Sequence, residues 1–196
     1  MHRWLAGLVA AAAFLGIAGA AAATTWKVDV AHTTVGFSVK HLFTRVQGRF
    51  DEFEGTIVFD PANPKAAKVS GTIQAASINT NNAKRDKHLR SADFFDVAKH
   101  PTLSFESTSV HTDDAGAGTI EGELTIHGVT KPVVIEVEYL GQGADPWGNV
   151  RAGFVAKLEV DRKDYGLNWN EVLETGGVLV GDLITIRIDV EGILAQ

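Results

Sequence analysis

The chain has 196 residues, no cysteine, and 24 acidic against 18 basic side chains, for a formal net charge of −6 at pH 7. This length fits one domain with a sizeable core. The lack of cysteine excludes a disulfide framework and a lipid-modified N-terminal cysteine, and an acidic chain lacks the basic surface that nucleic acids require.

The N-terminal segment has the pattern of a secretory signal peptide. Residues 1–3 form a short cationic start, and residues 5–23 are uncharged, rich in Ala, Leu and Gly, and end in three alanines. A signal peptidase accepts such small residues after a short apolar run, whereas a membrane anchor of this length is the alternative. We expect cleavage near Ala23, which leaves residues 24–196 as an exported domain without a transmembrane segment.

Apolar and polar side chains alternate with a period of two along most of the remaining chain, which is typical of β-strands with one buried face. The parity of this alternation changes near Asp51 and Glu52, which predicts a β-bulge. The alternating stretches cover residues 28–30, 35–39, 46–59, 69–75, 103–105, 120–126, 133–139, 154–160 and 184–190. Since neighbouring stretches can belong to one strand, we count roughly eight strands.

Eight strands of this kind close into a barrel or stack as a sandwich. Glycine within a strand weakens pairing but permits sharp coiling, and several strands contain it: Gly48, Gly55, Gly71, Gly122 and Gly153. The sequence therefore favours an all-β antiparallel barrel, and eight strands make a barrel just wide enough for one small ligand.

A helical insertion interrupts the alternation between the third and fourth strands. Residues 81–99 lack the period of two, and Thr80 or Asn81 is suited to cap a helix that we place near residues 82–91. Such a helix would lie over one mouth of the barrel.

The insertion carries a basic cluster followed by two aromatic residues. The cations offer a site for a phosphate or diphosphate head group, or else they form a solvated helix face that Asp86 and Asp93 balance. Phe94 and Phe95 either plug the barrel or line a slot for a lipid. The basic residues are Lys84, Arg85, Lys87, His88 and Arg90.

Recognisable catalytic motifs are absent from the sequence, which has no nucleophile elbow and no P-loop. His32, His41 and His88 are candidates for a metal site across strands, but we favour hydrogen bonds to the backbone at strand ends and turns. Asp161 and Asp164 are conceivable as an acid–base pair, and a charged turn after a strand is the favoured interpretation. We therefore expect no metal, no cofactor and no enzymatic activity.

The sequence resembles the YceI-like, polyisoprenoid-binding family of exported bacterial proteins. The most specific stretches are RDKHLRSADFFD at residues 85–96 and GELTIHGVTKPV at residues 122–133. Other matching stretches occur in the family's order at residues 29–32, 35–42, 46–50, 101–105 and 161–166. The resemblance implies a lipocalin-like barrel with the helical segment closing one end, a periplasmic location, often a homodimer, and no catalytic activity.

The resemblance also implies a long-chain isoprenoid or similar amphiphile as ligand, of the polyprenyl phosphate, polyprenyl diphosphate or quinone type. Inward apolar positions should contact the tail: Val35, Phe37, Val39, Phe50, Ile73, Phe105, Leu124, Ile135 and Phe154. Phe94 and Phe95 would narrow the pocket, and the candidates for the head group are Arg85, His88 and Arg90. An enzyme acting on an isoprenoid or quinone-like lipid, and a structural or stress-protective barrel filled by its own side chains, remain alternatives.

Overall fold

A computed structural model describes residues 23–113, 117–172 and 178–195. The predicted signal peptide lies outside these ranges apart from Ala23. Helices in these ranges fall short of the length and hydrophobicity that a transmembrane helix requires. The described elements are β1 (Thr24–Val28), β2 (Thr34–His41), β3 (Thr44–Phe50), β4 (Phe53–Phe59), β5 (Lys68–Gln74), β6 (Ile78–Asn79), α1 (Ala83–Leu89), β7 (Thr102–Thr112), β8 (Ala117–Ile126), β9 (Val129–Ala144), β10 (Val150–Asp161) and β11 (Val180–Leu194).

These elements form the eight-stranded antiparallel barrel that the sequence predicts. The strand pairs β1 and β2, β3 and β4, and β5 and β6 each act as one interrupted barrel strand. Strands β1 and β2 both pair with β11, strands β4 and β3 pair with β1 and β2 in turn, and strands β5 and β6 pair with β4 and β3. Strand β11 pairs with β2 over residues 180–189 and with β1 over residues 192–194, which closes the sheet. Closure leaves the ring of β1, β4, β5 and β7 to β11 without a free edge at which another chain could pair, whereas the short β6 pairs only with β3 among the described strands.

The predicted bulge coincides with a bend in two neighbouring barrel strands. The third and fourth strand segments are separated by Asp51 and Glu52, and a short 3₁₀ turn, Ala75–Ser77, separates β5 from β6. The Asp51 N–H donates to the Ser77 carbonyl at 3.2 Å, and the Gln74 N–H donates to the Glu52 carbonyl at 2.9 Å. The two irregularities therefore lie side by side and redirect the wall of the barrel together.

The helix of the insertion lies between β6 and β7, at the predicted place in the chain. The predicted caps are wrong, since the N-cap is Asn82, whose side-chain oxygen accepts the Arg85 N–H at 3.0 Å. An N-cap needs an extended backbone, which Asn82 has at φ −144 and ψ 101, whereas Asn81 has φ 59. Thr80 instead donates its hydroxyl to the buried carboxylate of Asp86.

Buried side chains form two clusters at opposite ends of the barrel. The cluster near the insertion includes Ile78, Leu103 and Ile126, together with the last residues of β10. The other cluster is built on Trp26, Ile57, Phe59 and Ala152 at the beginning of β10. Side chains of both clusters line one hollow inside the barrel.

Candidate functional site

The barrel encloses an apolar cavity of about 950 Å³. Every strand of the barrel contributes side chains to its wall, and most of them are aliphatic or aromatic. This volume lies at the upper end of the range typical of small-molecule pockets, which are also mostly apolar. The interior therefore has room for a guest and is not filled by the protein's own side chains.

All the apolar residues that the sequence predicts as ligand contacts stand on the cavity wall. The strand residues among them reach it because successive side chains of a strand point to opposite faces of the sheet, and one of these faces is the inner wall of the barrel. Phe94 and Phe95 instead belong to the insertion, between α1 and β7. The contact of the whole set with a ligand remains a prediction. The residues are Val35, Phe37, Val39, Phe50, Ile73, Phe94, Phe95, Phe105, Leu124, Ile135 and Phe154.

Aromatic rings are grouped near both ends of the cavity. Near the insertion, the Phe50 ring lies 5.7 Å from that of Phe37 and 5.9 Å from that of Phe95, measured between centroids. At the other end, the rings of Phe59, Tyr139 and Phe154 form a triad with centroid separations of 4.9, 5.3 and 5.4 Å. Tilted and edge-on rings at these distances attract one another, so both groups hold defined positions.

The predicted head-group residues lie outside the cavity wall, among the residues that the structure describes. The Arg85 guanidinium donates to the hydroxyl and the carbonyl of Thr80 at 2.7 and 2.8 Å. The Arg90 guanidinium donates to the carbonyls of Ala76 and Ile78 at 2.6 and 2.7 Å. Both arginines thereby fasten the insertion to the segment around β6.

His88 takes part in a different arrangement on the outer side of the insertion. Its Nε2 lies 2.9 Å from an Asp93 carboxylate oxygen, and its ring stands edge-on to those of Phe94 and Trp169. The contact of Arg85, His88 and Arg90 with a head group stays a prediction.

Arg162 is a cavity-wall residue that the sequence analysis did not identify. It is 3% exposed and donates to the carbonyls of Leu167, Trp169 and Gly181 and to the Asp182 carboxylate. The sequence contains a signal for this position, because Arg162 follows Leu158 and Val160 at intervals of two residues and so shares their inward-facing side of the strand.

Other charged residues on the cavity wall were also missed; they are Glu54, Lys65 and Asp113. Lys65 belongs to the connection between β4 and β5, and Asp113 follows β7. Both positions lie outside the alternating stretches of the sequence, so the period of two carries no information on where their side chains point.

The raised pKa values of two tyrosines are consistent with an apolar cavity wall. Burial raises the pKa of Tyr139, because removing the ring from water disfavours the charged phenolate. Burial also raises the pKa of Tyr165, with smaller contributions in the same direction from the carboxylates of Asp164 and Glu123. Both side chains line the cavity, so its environment favours neutral groups.

The residues considered for metal binding or acid–base chemistry are dispersed. Among the described residues, His32, His41 and His88 do not come together in one group of possible ligands. His32 pairs with Asp29 at 2.7 Å, and His88 pairs with Asp93 at 2.9 Å. Asp161 accepts the backbone N–H of Lys163 at the start of a 3₁₀ turn, whereas Asp164 pairs with Lys131 on another strand.

A charged network ties strand ends together at the end of the barrel away from the insertion. Arg151 donates to Asp29 at 2.6 Å, to Asp145 at 2.7 Å and to Glu191. Its guanidinium and the neighbouring His32 hold the pKa of Asp29 down to about 2, and Arg151 also lowers the pKa of Asp145. This network connects the end of β1, the β9–β10 turn and β11.

Comparison with known proteins agrees with this architecture. The family model of the YceI-like domain matches residues 26–192. The UPF0312 protein of Ectopseudomonas mendocina (strain ymp) is 47% identical over 166 residues, which cover 83% of this chain and 86% of the relative. The crystal structure of the Campylobacter jejuni YceI protein has a TM-score of 0.69 at 34% identity, covering 86% of this chain and 96% of that one.

A more distant structural match is to a domain that is named for the ligand it binds. The structure of a polyisoprenoid binding domain from Saccharophagus degradans has a TM-score of 0.63 at 17% identity, covering 88% of this chain and 99% of that one. At this identity the likeness concerns the fold alone.

Proposed function

The chain belongs to the YceI-like family, and on that premise we propose that its barrel holds a long-chain isoprenoid or similar amphiphilic lipid as a periplasmic carrier or sequestering protein. The observation that carries the proposal is the apolar cavity of about 950 Å³ inside a closed barrel. The Saccharophagus degradans domain, which shares the fold, is named for polyisoprenoid binding, and this supports an isoprenoid as one candidate ligand. Export, with residues 1–23 as signal peptide, and assembly into a homodimer are parts of the same proposal.

The energetics of such a cavity suit a lipid tail. Burying apolar surface gains about 25 cal/mol per Å², so a few hundred Å² offer roughly 10 kcal/mol before losses. Immobilising and ordering the flexible chain takes back several kcal/mol. The remainder of roughly 5–7 kcal/mol corresponds to a Kd of about 10–200 μM, and micromolar or tighter binding follows where the tail is mostly enclosed and more apolar area is buried. Selection of chain length should be loose, because an apolar wall discriminates one methylene weakly.

Binding, rather than catalysis, is the function that the family and the wall support. The cavity surface is dominated by aliphatic and aromatic side chains, and its buried cation, Arg162, is engaged by three carbonyls and Asp182. The third alternative, a barrel filled by its own side chains, disagrees with the open volume.

A filled-cavity variant tests the proposal. Ala156 lines the cavity in the middle of β10, and the next residue, Lys157, is exposed on the outer face of the same strand. Ala156→Leu and Ala156→Trp should lower the amount of bound lipid stepwise, whereas Lys157→Trp should leave it unchanged. Circular dichroism and thermal unfolding establish that each variant is folded.

Native mass spectrometry of protein purified gently from a bacterial host measures the bound lipid. We expect an adduct of lipid mass on the wild type and on Lys157→Trp, and a mass shift when polyprenyl phosphate or polyprenol is added to lipid-free protein. Absence of both the adduct and the shift in the folded wild type would overturn the proposal. A head group at the insertion would make the complex with polyprenyl phosphate tighter than that with polyprenol, and Arg85→Gln or Arg90→Gln should then weaken only the phosphate complex. Equal weakening of both complexes would instead reflect the loosened insertion.

A further inference from the structure

Three metal-ligating side chains meet at the end of the barrel that carries the insertion. One carboxylate oxygen of Asp96 and one ring nitrogen each of His100 and His127 all lie within 4.8 Å of one another, and all three residues are partly buried. Asp96 and His100 belong to the segment between α1 and β7, and His127 lies in the turn between β8 and β9. The cluster therefore joins the insertion to the barrel.

The orientation of His127 suits a metal ligand. Its Nδ1 lies 3.2 Å from the Tyr165 carbonyl oxygen. A carbonyl only accepts hydrogen bonds, so Nδ1 carries the proton and Nε2 of the neutral ring keeps its lone pair. Metal-binding histidines commonly donate their second ring nitrogen to a carbonyl in this way, which fixes both the tautomer and the ring orientation.

The backbone around the cluster is adapted to bring the rings together. The left-handed backbone region is occupied at Asp96, with φ 43, and at His127, with φ 52. The residue after His127 is Gly128, where an added methyl group would lie 2.7 Å from the His100 ring. Glycine thus permits the close approach of His100, whose ring centroid lies 4.4 Å from that of His127.

A second group of possible ligands, Asp29, His32 and Glu191, is less suited to a cation. Both of its carboxylates accept hydrogen bonds from the Arg151 guanidinium. A metal ion there would have to displace a fixed cation. The cation beside Asp96 is Lys99, whose ammonium lies 2.8 Å from one carboxylate oxygen at the end of a side chain that is 75% exposed. Such a flexible surface ion pair contributes little and yields easily to a stronger ligand.

We propose that Asp96, His100 and His127 bind a divalent transition metal ion of the zinc type. Two imidazole nitrogens and one carboxylate form a set that zinc accepts in tetrahedral geometry with water in the fourth position, and imidazole ligands favour such metals over magnesium or calcium. Phe95 and Ile126, the residues before Asp96 and His127, line the cavity. The ion fastens the insertion to the β8–β9 turn at this end of the barrel, whatever the ligand in the cavity.

Zinc binding by tag-free protein that has first been treated with a chelator tests the site. We expect one zinc ion per chain by elemental analysis, a rise in Tm, and slower hydrogen exchange of the amides around Asp96 and His127. His100→Gln and His127→Asn should abolish the rise in Tm and weaken binding by more than about tenfold. Asparagine is chosen at position 127 because it tolerates a positive φ better than most residues.

Two variants elsewhere serve as matched controls. His111→Gln removes an exposed histidine on β7, and His32→Gln removes the histidine of the competing group. Both should keep the zinc-induced rise in Tm. The proposal is overturned if zinc does not stabilise the wild type, if the effect survives in His100→Gln or His127→Asn, or if His32→Gln loses it.

A measurement on the wild type keeps the test decisive should either ligand variant fail to fold. Nitrogen NMR of the histidine rings should show zinc-induced shifts at His100 and His127, with the Nδ1 proton of His127 retained. Shifts confined to other histidines would contradict the site.

Discussion

A methyl group placed at Gly48 would lie 2.3 Å from the ζ carbon of the Phe37 ring, which belongs to its direct partner on the neighbouring strand. The ring of Phe37 therefore lies against the strand where Gly48 leaves room for it. A similar close approach occurs where a methyl group at Gly122 would lie 2.5 Å from the ring of Phe105, which lies on the neighbouring strand but is not its direct partner. Both rings stand on the cavity wall, so these glycines govern how far the rings extend into the hollow.

We predict that Gly48→Ala forces the Phe37 ring from its place. The displaced ring should reduce the room for a lipid, and overpacking of this kind costs about 1–3 kcal/mol of the free energy of unfolding. Denaturant unfolding and lipid loading measure the two effects. Gly143→Ala is the matched control, because a methyl group there meets nothing within 4 Å, and its effect should stay within about 0.5 kcal/mol. Equal effects of the two variants would contradict the explanation.

We predict that Arg162→Met destabilises the protein by about 3 kcal/mol. The substitution leaves the carbonyls of Leu167 and Trp169 without their buried donor, and such unsatisfied groups carry a desolvation penalty. Lys163→Met removes a half-exposed partner of the same Asp182 carboxylate and should cost less than about 1 kcal/mol. Denaturant unfolding at neutral pH compares the two, and a loss as large in Lys163→Met would show that the buried carbonyls are not the cause.

We predict that Arg90→Met loosens the insertion by about 1–2 kcal/mol. Its two carbonyl partners, Ala76 and Ile78, lose charge-assisted hydrogen bonds. Lys84→Met, on the exposed side of α1, should change the free energy of unfolding by less than about 0.5 kcal/mol. Hydrogen exchange of the α1 amides checks the location of the effect; unchanged exchange in Arg90→Met would refute it.

We predict that the Arg151 network raises the free energy of unfolding at pH values above the ordinary pKa of Asp29. The pKa of Asp29 is about 2 in the folded protein against an ordinary 3.8. The stabilisation from the ionised Asp29 carboxylate is therefore complete at pH values above its ordinary pKa. It is lost as the pH falls through the lower pKa of the folded protein. Arg151→Gln should lower the free energy of unfolding near neutral pH, and the difference from wild type should shrink between about pH 4 and pH 2.

Urea unfolding of both proteins across this pH range measures the difference. Arg187→Gln, on the exposed Arg187–Asp189 pair, is the control. A difference between wild type and Arg151→Gln that does not change with pH would contradict an ionic origin.

The sequence predicts the apolar wall of the cavity well and its charged residues poorly. Alternation along a strand is a local property, so the inward parity of Phe37, Leu124 or Phe154 follows from neighbouring residues alone. The role of an arginine depends on which acceptors it meets. Arg162, on the cavity wall, donates to the Gly181 carbonyl, whereas Arg90, in the predicted head-group cluster, donates to the Ile78 carbonyl.

The sequence by itself determined the strand pattern, the helical insertion between the third and fourth barrel strands, and the apolar face of each strand. Only the tertiary structure decided that the barrel stays hollow and that Asp96, His100 and His127 meet. The physical reason is range: periodicity acts over a few residues, whereas cavity volume and ligand clusters depend on the register in which distant strands close.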